Sequence, residues 1–169
     1  MKIKDLIITQ IENKGQINVS EFIELCLFSE NGYYINNNPI GKNNDFITSP
    51  EISQMFGEII GIFLINFWEK NIQRDFNLIE LGPGSGTLTE DIIRTAKVNE
   101  DFLNSTNLFL IEKNEALIKK QKERLSNLNV KNLKWCKNFD IKNDKPSIVY
   151  SNEFFDCFPI RQFFKKQKW

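Results

Sequence analysis

Glu80-Leu81-Gly82-Pro83-Gly84-Ser85-Gly86-Thr87-Leu88 is the stretch that decides how this chain is read. The apolar run Asn77–Leu81 leads into it as a short strand, and Leu88–Ala96 leaves it with helical spacing. A glycine-rich run acquires meaning in that context, where a strand hands over to a helix. Glycine permits the tight turn and lets the backbone approach a ligand closely, while the helix N-terminus offers amides that lack partners inside the helix.

The spacing of the glycines narrows the choice. The third glycine comes one residue earlier than in the G-x-G-x-x-G of dinucleotide folds, which disfavours a nicotinamide oxidoreductase. No Gly-Lys-Ser/Thr follows, as a phosphate loop would need. Acidic-x-Gly-x-Gly-x-Gly, with Glu80 ending the strand, is the spacing of the S-adenosylmethionine loop in Rossmann-like methyltransferases. Glu80, Gly82, Gly84, Gly86 and Thr87 are the cofactor-binding candidates that follow, against the plainer alternative of a structural turn. Glu112 joins them. It ends the apolar run Leu108–Ile111, where a carboxylate in such a fold reaches the ribose hydroxyls. Its distance from Gly86 exceeds the usual interval of about 20 residues, and the polar stretch Asn99–Asn107 accounts for the excess as a longer connection.

Outward from the bend, strands and helices alternate. Further strands are expected at Leu133–Trp135, Ser147–Tyr150 and Ile160–Phe164, and a helix over Glu115–Leu128. Such alternation implies βαβ units and a mostly parallel, doubly wound sheet of five strands. The fold class is therefore α/β. Residues 1–75 are expected to form an N-terminal helical cap and 76–169 the S-adenosylmethionine-binding domain. Ile3, Leu6, Ile7 and Ile11 mark a first helix closed by Gly15. A second starts with Asn18 as cap, Glu21 reaching back, and Ile17 packed on Phe22. A polar, turn-rich loop runs through Asn44. A long apolar helix then opens at Asp45–Glu51, with Ser49 as cap and Pro50 in its first turn. Its stretch Ile59–Trp68 is expected to be buried, with Gly57 and Gly61 packing on the sheet.

Composition excludes several classes. The 169 residues carry 22 basic and 22 acidic side chains, so a basic surplus for nucleic acid is missing. There is no histidine, which removes Ser–His–Asp triads, imidazole bases and histidine-ligated metals. Cys26, Cys136 and Cys157 form no C-x-x-C pair, so no metal site is expected and the thiols are read as free in a reducing compartment. The longest apolar run falls well short of the roughly 20 residues of a membrane span. The N-terminal region has neither the apolar stretch of a signal peptide nor any arginine before Arg74. Together these point to a cytosolic chain. The 15 phenylalanines suggest an aromatic core.

The third chemical stretch is Ser151-Asn152-Glu153-Phe154-Phe155-Asp156-Cys157-Phe158-Pro159, directly after the fourth strand. Ligands of open α/β sheets bind outside the carboxyl ends of the strands, so an acceptor substrate is expected there. Glu153 and Asp156 are the catalytic candidates, with Phe154, Phe155 and Phe158 as a dry surround. Asn152 joins the cofactor candidates.

These motifs, with Tyr33-Tyr34, Asp45-Phe46-Ile47-Thr48-Ser49-Pro50-Glu51-Ile52-Ser53-Gln54-Met55-Phe56-Gly57-Glu58 and Arg161-Gln162-Phe163, resemble the MidA-like family over nearly the whole chain. Members of that family are S-adenosylmethionine-dependent methyltransferases, and the mitochondrial ones dimethylate an arginine on a complex I subunit during its assembly. The resemblance implies a methyltransferase fold, S-adenosylmethionine as cofactor, a protein arginine as acceptor, and an Asp45–Glu51 turn, with Thr48 and Ser49, folding over the cofactor. An arginine stays protonated in water, its pKa exceeding about 12. Glu153, with Asp156 assisting, would grip its planar fork and leave one nitrogen nucleophilic. The family's proteins continue past the position of Trp169. The corresponding expectation is a fragment, a split or frameshifted product, or a protein completed by another chain or a second copy, with Phe163 and Phe164 on a bare sheet edge. An assembly factor that binds its partner protein without turnover is the alternative function.

Overall fold

A computed structural model describes residues 2–36, 45, 47–128, 130, 132–141 and 144–165. The expected polar loop over 37–44, and Phe46 of the following turn, lie outside the described residues. The chain divides into two compact units, Met1–Asn38 with Glu153–Trp169, and Pro39–Asn152.

The larger unit is built on four parallel strands, β1 (Phe76–Leu81), β2 (Thr106–Ile111), β3 (Asn132–Cys136) and β4 (Ser147–Ser151), in the order β3-β2-β1-β4. Among the described residues the expected parallel α/β sheet is present, with one strand fewer. Ile160–Phe164 forms no strand, and Phe163 is 77% exposed. A parallel neighbour needs a crossover of about a dozen residues or more. The link from Ser151 to Ile160 is shorter than that and holds only the single 3-10 turn Phe155–Cys157.

Helices α4 (Ser49–Ile52), α5 (Gln54–Asn71), α6 (Thr87–Ala96), α7 (Glu100–Ser105) and α8 (Glu115–Leu125) belong to the same unit. The single long helix expected from Asp45 onward is two helices, broken at Ser53, whose backbone is extended. Thr48, not Ser49, takes the N-cap place of α4, and its side chain makes no capping hydrogen bond. Gly57 and Gly61 pack on a helix, not on the sheet. A Cβ at Gly57 would collide with Asp91 of α6, and one at Gly61 would meet Thr95 at 3.0 Å. Among the described residues α5 is covered on one side: Gly57, Gly61, Leu64, Ile65 and Trp68 are buried, while Met55, Ile59, Ile62, Phe63 and Phe67 are exposed. The run Ile59–Trp68 is thus half-buried, because α6 supplies a partner for one face alone.

The stretch Asn99–Asn107 is more than a connection. Asn99 accepts from the Phe102 amide at 2.9 Å and starts α7, which drives Phe102 fully into the core. Phe102 meets Phe76 at 5.3 Å and Trp68 at 5.8 Å between ring centroids. This trio, with Leu78, Ile92, Ile93, Leu108 and Leu110, is the buried centre. The aromatic core is smaller than composition suggested, since Phe63, Phe155, Phe163 and Phe164 are exposed.

The smaller unit holds α1 (Ile3–Lys14), α2 (Val19–Phe28), α3 (Tyr33–Asn36) and the 3-10 turn. Gly15 ends α1 with a left-handed φ of 78° and returns its N–H to Ile11. Asn18 and Glu21 form the expected capping box, with reciprocal bonds of 2.8 and 3.0 Å. Phe28 stacks on Tyr34 and on Phe158.

Candidate functional site

The bend after β1 needs its glycines. Gly82, Gly84 and Gly86 have φ of 62°, 56° and 83°, a region costly for residues with a Cβ. The Gly82 N–H donates to the Ile111 carbonyl at 3.0 Å, which ties the start of the bend to the end of β2. Leu81 pairs with Ile111 on one side and with Ser151 on the other. Register therefore brings the glycine bend, Glu112 and Asn152 to the same carboxyl end of three adjacent strands.

The bend is also held from outside. Gln121 of α8, fully buried, donates through Nε2 to the Gly84 carbonyl at 2.8 Å and accepts from Trp135 Nε1 at 2.9 Å. Nothing in the local sequence pattern marks Gln121, which sits on a helix otherwise rich in charge.

Glu80 is 2% exposed, and its Oε2 accepts from the Tyr150 hydroxyl at 3.0 Å and from Thr89. Burial pushes its carboxyl up to about 7, against the pull of the two hydroxyls. Burial and the Glu80 carboxylate in turn push the Tyr150 phenol well above its ordinary value. Thr89 and Tyr150 are additions that spacing did not reveal. Tyr150 lies opposite Glu80 in the β1–β4 pairing, so only strand order discloses it.

Glu112 follows β2 directly, and its N–H donates to the Cys136 carbonyl at 2.9 Å. Its Oε1 accepts from the amides of Lys113 and Asn114 at 2.8 and 2.9 Å. Burial pushes its carboxyl up, and the donors to it only partly offset that.

Thr48 and Ser49 sit at the start of α4, Thr48 buried. The link from this turn to the bend is Glu51. Its Oε1 accepts from the Thr87 hydroxyl at 2.6 Å and from that of Ser85. Burial raises the Glu51 carboxyl, but the hydroxyls of Ser85 and Thr87 and the charges of Arg124 and Lys120 outweigh it, leaving it below the ordinary value. The family resemblance placed Glu51 in the turn over the cofactor but gave its side chain no partner; Ser85 and Thr87 are the partners.

Glu153 and Asp156 belong to the smaller unit and are exposed. Glu153 has a φ of 47°, rare for a residue with a side chain, and Asp156 lies on the 3-10 turn. The dry surround expected of the neighbouring phenylalanines is not formed: Phe155 is 69% exposed and Phe158 is also exposed, while Phe154 is half-buried. Short 3-10 geometry spreads successive side chains around the turn, so they cannot all cover one carboxylate.

A family model described as S-adenosyl-L-methionine-dependent methyltransferase matches residues 59–169, the span that holds the bend. The chain belongs to this methyltransferase family. Among curated relatives, the mitochondrial protein arginine methyltransferase NDUFAF7 of Xenopus laevis is 34% identical over 187 residues, covering 96% of this chain and 43% of its own. The Bos taurus protein of the same name is 34% identical over 184 residues, covering 94% and 41%. The chain thus spans less than half the length of these methyltransferases. A crystal structure from Burkholderia thailandensis bound to S-adenosyl-homocysteine shares the fold, with a TM-score of 0.74 at 20% identity over 93% of this chain and 42% of that one. Among the described residues of this family member, no helix is long and apolar enough to cross a membrane.

Proposed function

We propose that this chain holds S-adenosylmethionine at the Gly82–Gly86 bend, and that the protein transfers methyl groups to an arginine side chain of a protein substrate. One observation carries the cofactor half. Three left-handed glycines and the Glu112 carboxylate stand side by side at the carboxyl ends of β1 and β2, joined by the Gly82–Ile111 hydrogen bond. Ligands of open α/β sheets bind there. In this reading Glu112 receives the ribose hydroxyls, Thr87, Thr48, Ser49 and Asn152 complete the contacts, and the buried Glu80 braces the bend from behind through Thr89 and Tyr150. The residues fit the group, since the bend turns on three glycines that let a ligand approach its backbone closely and the Glu112 carboxylate follows the neighbouring strand.

The cofactor supplies the electrophile, a methyl group on a sulfonium. The protein's part is to hold the acceptor nitrogen in line and keep water out. Glu153, with Asp156, grips the guanidinium and concentrates its charge on one side, and the proton that the acceptor nitrogen sheds on taking the methyl group passes to one of these carboxylates. The left-handed backbone of Glu153 supports a positioned role, because such conformations cluster at functional sites. The names of the relatives support arginine as acceptor. A respiratory complex I subunit is the proposed substrate, and the mitochondrial matrix or, for a bacterial chain, the cytoplasm is the proposed location.

Calorimetry with S-adenosylmethionine, then methyl transfer to the candidate protein substrate, tests this. Glu153→Gln should abolish transfer and leave cofactor affinity nearly unchanged; equal loss of both refutes the assignment. Tight cofactor binding by the unaltered protein without any transfer supports the non-catalytic assembly-factor reading instead.

A further inference from the structure

The mouth of the glycine bend carries a carboxylate of its own. In dinucleotide folds the first turn of the helix after such a bend receives a pyrophosphate, an anion held by free amides and hydroxyls. Here the hydroxyls of that turn are already engaged. Thr87 is the first residue of α6 and donates to Glu51 Oε1 at 2.6 Å; Ser85, on the bend, donates to the same atom. The two hydroxyl oxygens are themselves 2.8 Å apart, so a single carboxylate oxygen caps both. The second oxygen, Oε2, is bound by no described residue.

Charge makes the arrangement selective. The two donors and the nearby cations keep the Glu51 carboxyl below its ordinary value, so it is ionised at neutral pH. Of those cations, Arg124 is itself committed to Glu90 at 2.9 Å. An incoming phosphate would meet a negative group occupying its donors. A ligand carrying positive charge would meet an acceptor oxygen already oriented by two hydrogen bonds. S-adenosylmethionine carries two such charges, an ammonium and a sulfonium, on its methionyl end.

We propose that Glu51 is the specificity-determining residue of the bend: it takes the cationic methionyl end of an adenosyl ligand and turns away adenosyl phosphates. This rests on the reading that the bend holds S-adenosylmethionine. It assigns a task to a residue outside the glycine motif, contributed by a helix that precedes the sheet.

Calorimetry on the full chain, unaltered and as Glu51→Gln, with four probes tests it. The probes are S-adenosylmethionine, S-adenosylhomocysteine, ADP and 5′-methylthioadenosine, which keeps the nucleoside and sulfur but lacks the amino-acid end. Glutamine preserves the shape and still accepts from both hydroxyls. The substitution should weaken S-adenosylmethionine and S-adenosylhomocysteine by about tenfold or more, the worth of one charge-assisted hydrogen bond. It should leave methylthioadenosine within about twofold and strengthen ADP. Equal weakening of methylthioadenosine would mean that Glu51 merely pins the loop, and overturns the proposal. So does unchanged S-adenosylmethionine affinity, or ADP binding equally tight to both proteins. Ser85→Ala, which keeps the charge and removes one donor, should retain the preference for S-adenosylmethionine over ADP; loss of that preference also counts against it. If the unaltered chain binds neither S-adenosylmethionine nor methylthioadenosine, the cofactor reading itself has failed, a result distinct from the others.

Discussion

Replacing Glu80 by glutamine should remove a pH dependence that the wild-type fold carries in its centre. The carboxyl is buried and held at about 7, against a reference of 4.5. The folded value lies above the unfolded one, so the sign is fixed. Below about pH 4.5 both states hold the proton and the group contributes nothing unfavourable. As pH rises from there the unfolded chain releases its proton first, and the folded state falls behind until about pH 7, after which the penalty is constant. The gap between 4.5 and 7, at 1.36 kcal/mol per pKa unit, corresponds to about 3 kcal/mol. The residue is almost fully buried, so solvent screening does not reduce that figure. Urea unfolding of wild type and Glu80→Gln at intervals from pH 4 to 8.5 is the assay. The difference between the two curves cancels every other titrating group and should move by about 3 kcal/mol in favour of the variant across that window. Glutamine can still accept from Thr89 and Tyr150, so a constant offset is expected and is uninformative. A difference curve flat from pH 4 to 8.5 would falsify the claim that burial governs this carboxyl.

Two further changes probe the bend. Gly86→Ala puts a Cβ on a backbone with φ of 83° and 3.4 Å from the Gln121 side chain, and should cost about 1–2 kcal/mol in urea unfolding together with weaker S-adenosylmethionine binding. Gln121→Leu strands the Gly84 carbonyl and the Trp135 indole N–H, each normally bonded to it. Stability should fall by about 2–3 kcal/mol, and a calorimetric affinity for S-adenosylmethionine equal to wild type would show that Gln121 does not shape the bend.

How much of this was legible in sequence varies with the distance over which each feature is decided. The capping box at Asn18 and Glu21 closes within one helical turn, so the two residue types and their spacing suffice. The same holds for the bend at Gly82–Gly86, where positive φ demands glycine itself. The helix Glu100–Ser105 was hidden by polar composition, since its single decisive apolar residue, Phe102, matters only because Trp68 and Phe76 wait to receive it. Ile160–Phe164 erred the other way: strand-like residues form no strand without a neighbour to pair with.

The sequence by itself determined the alternating α/β pattern and the glycine bend, because local backbone preference and hydrophobic periodicity act between near neighbours; the family was legible only through the resemblance of its long motifs to known proteins. Only the tertiary structure decided that Glu51 caps Ser85 and Thr87, that Gln121 grips Gly84, and that Tyr150 faces Glu80. Those pairs join residues far apart in the chain. Hydrogen bonds and charge between such groups depend on strand order and helix docking, which no short window of sequence encodes.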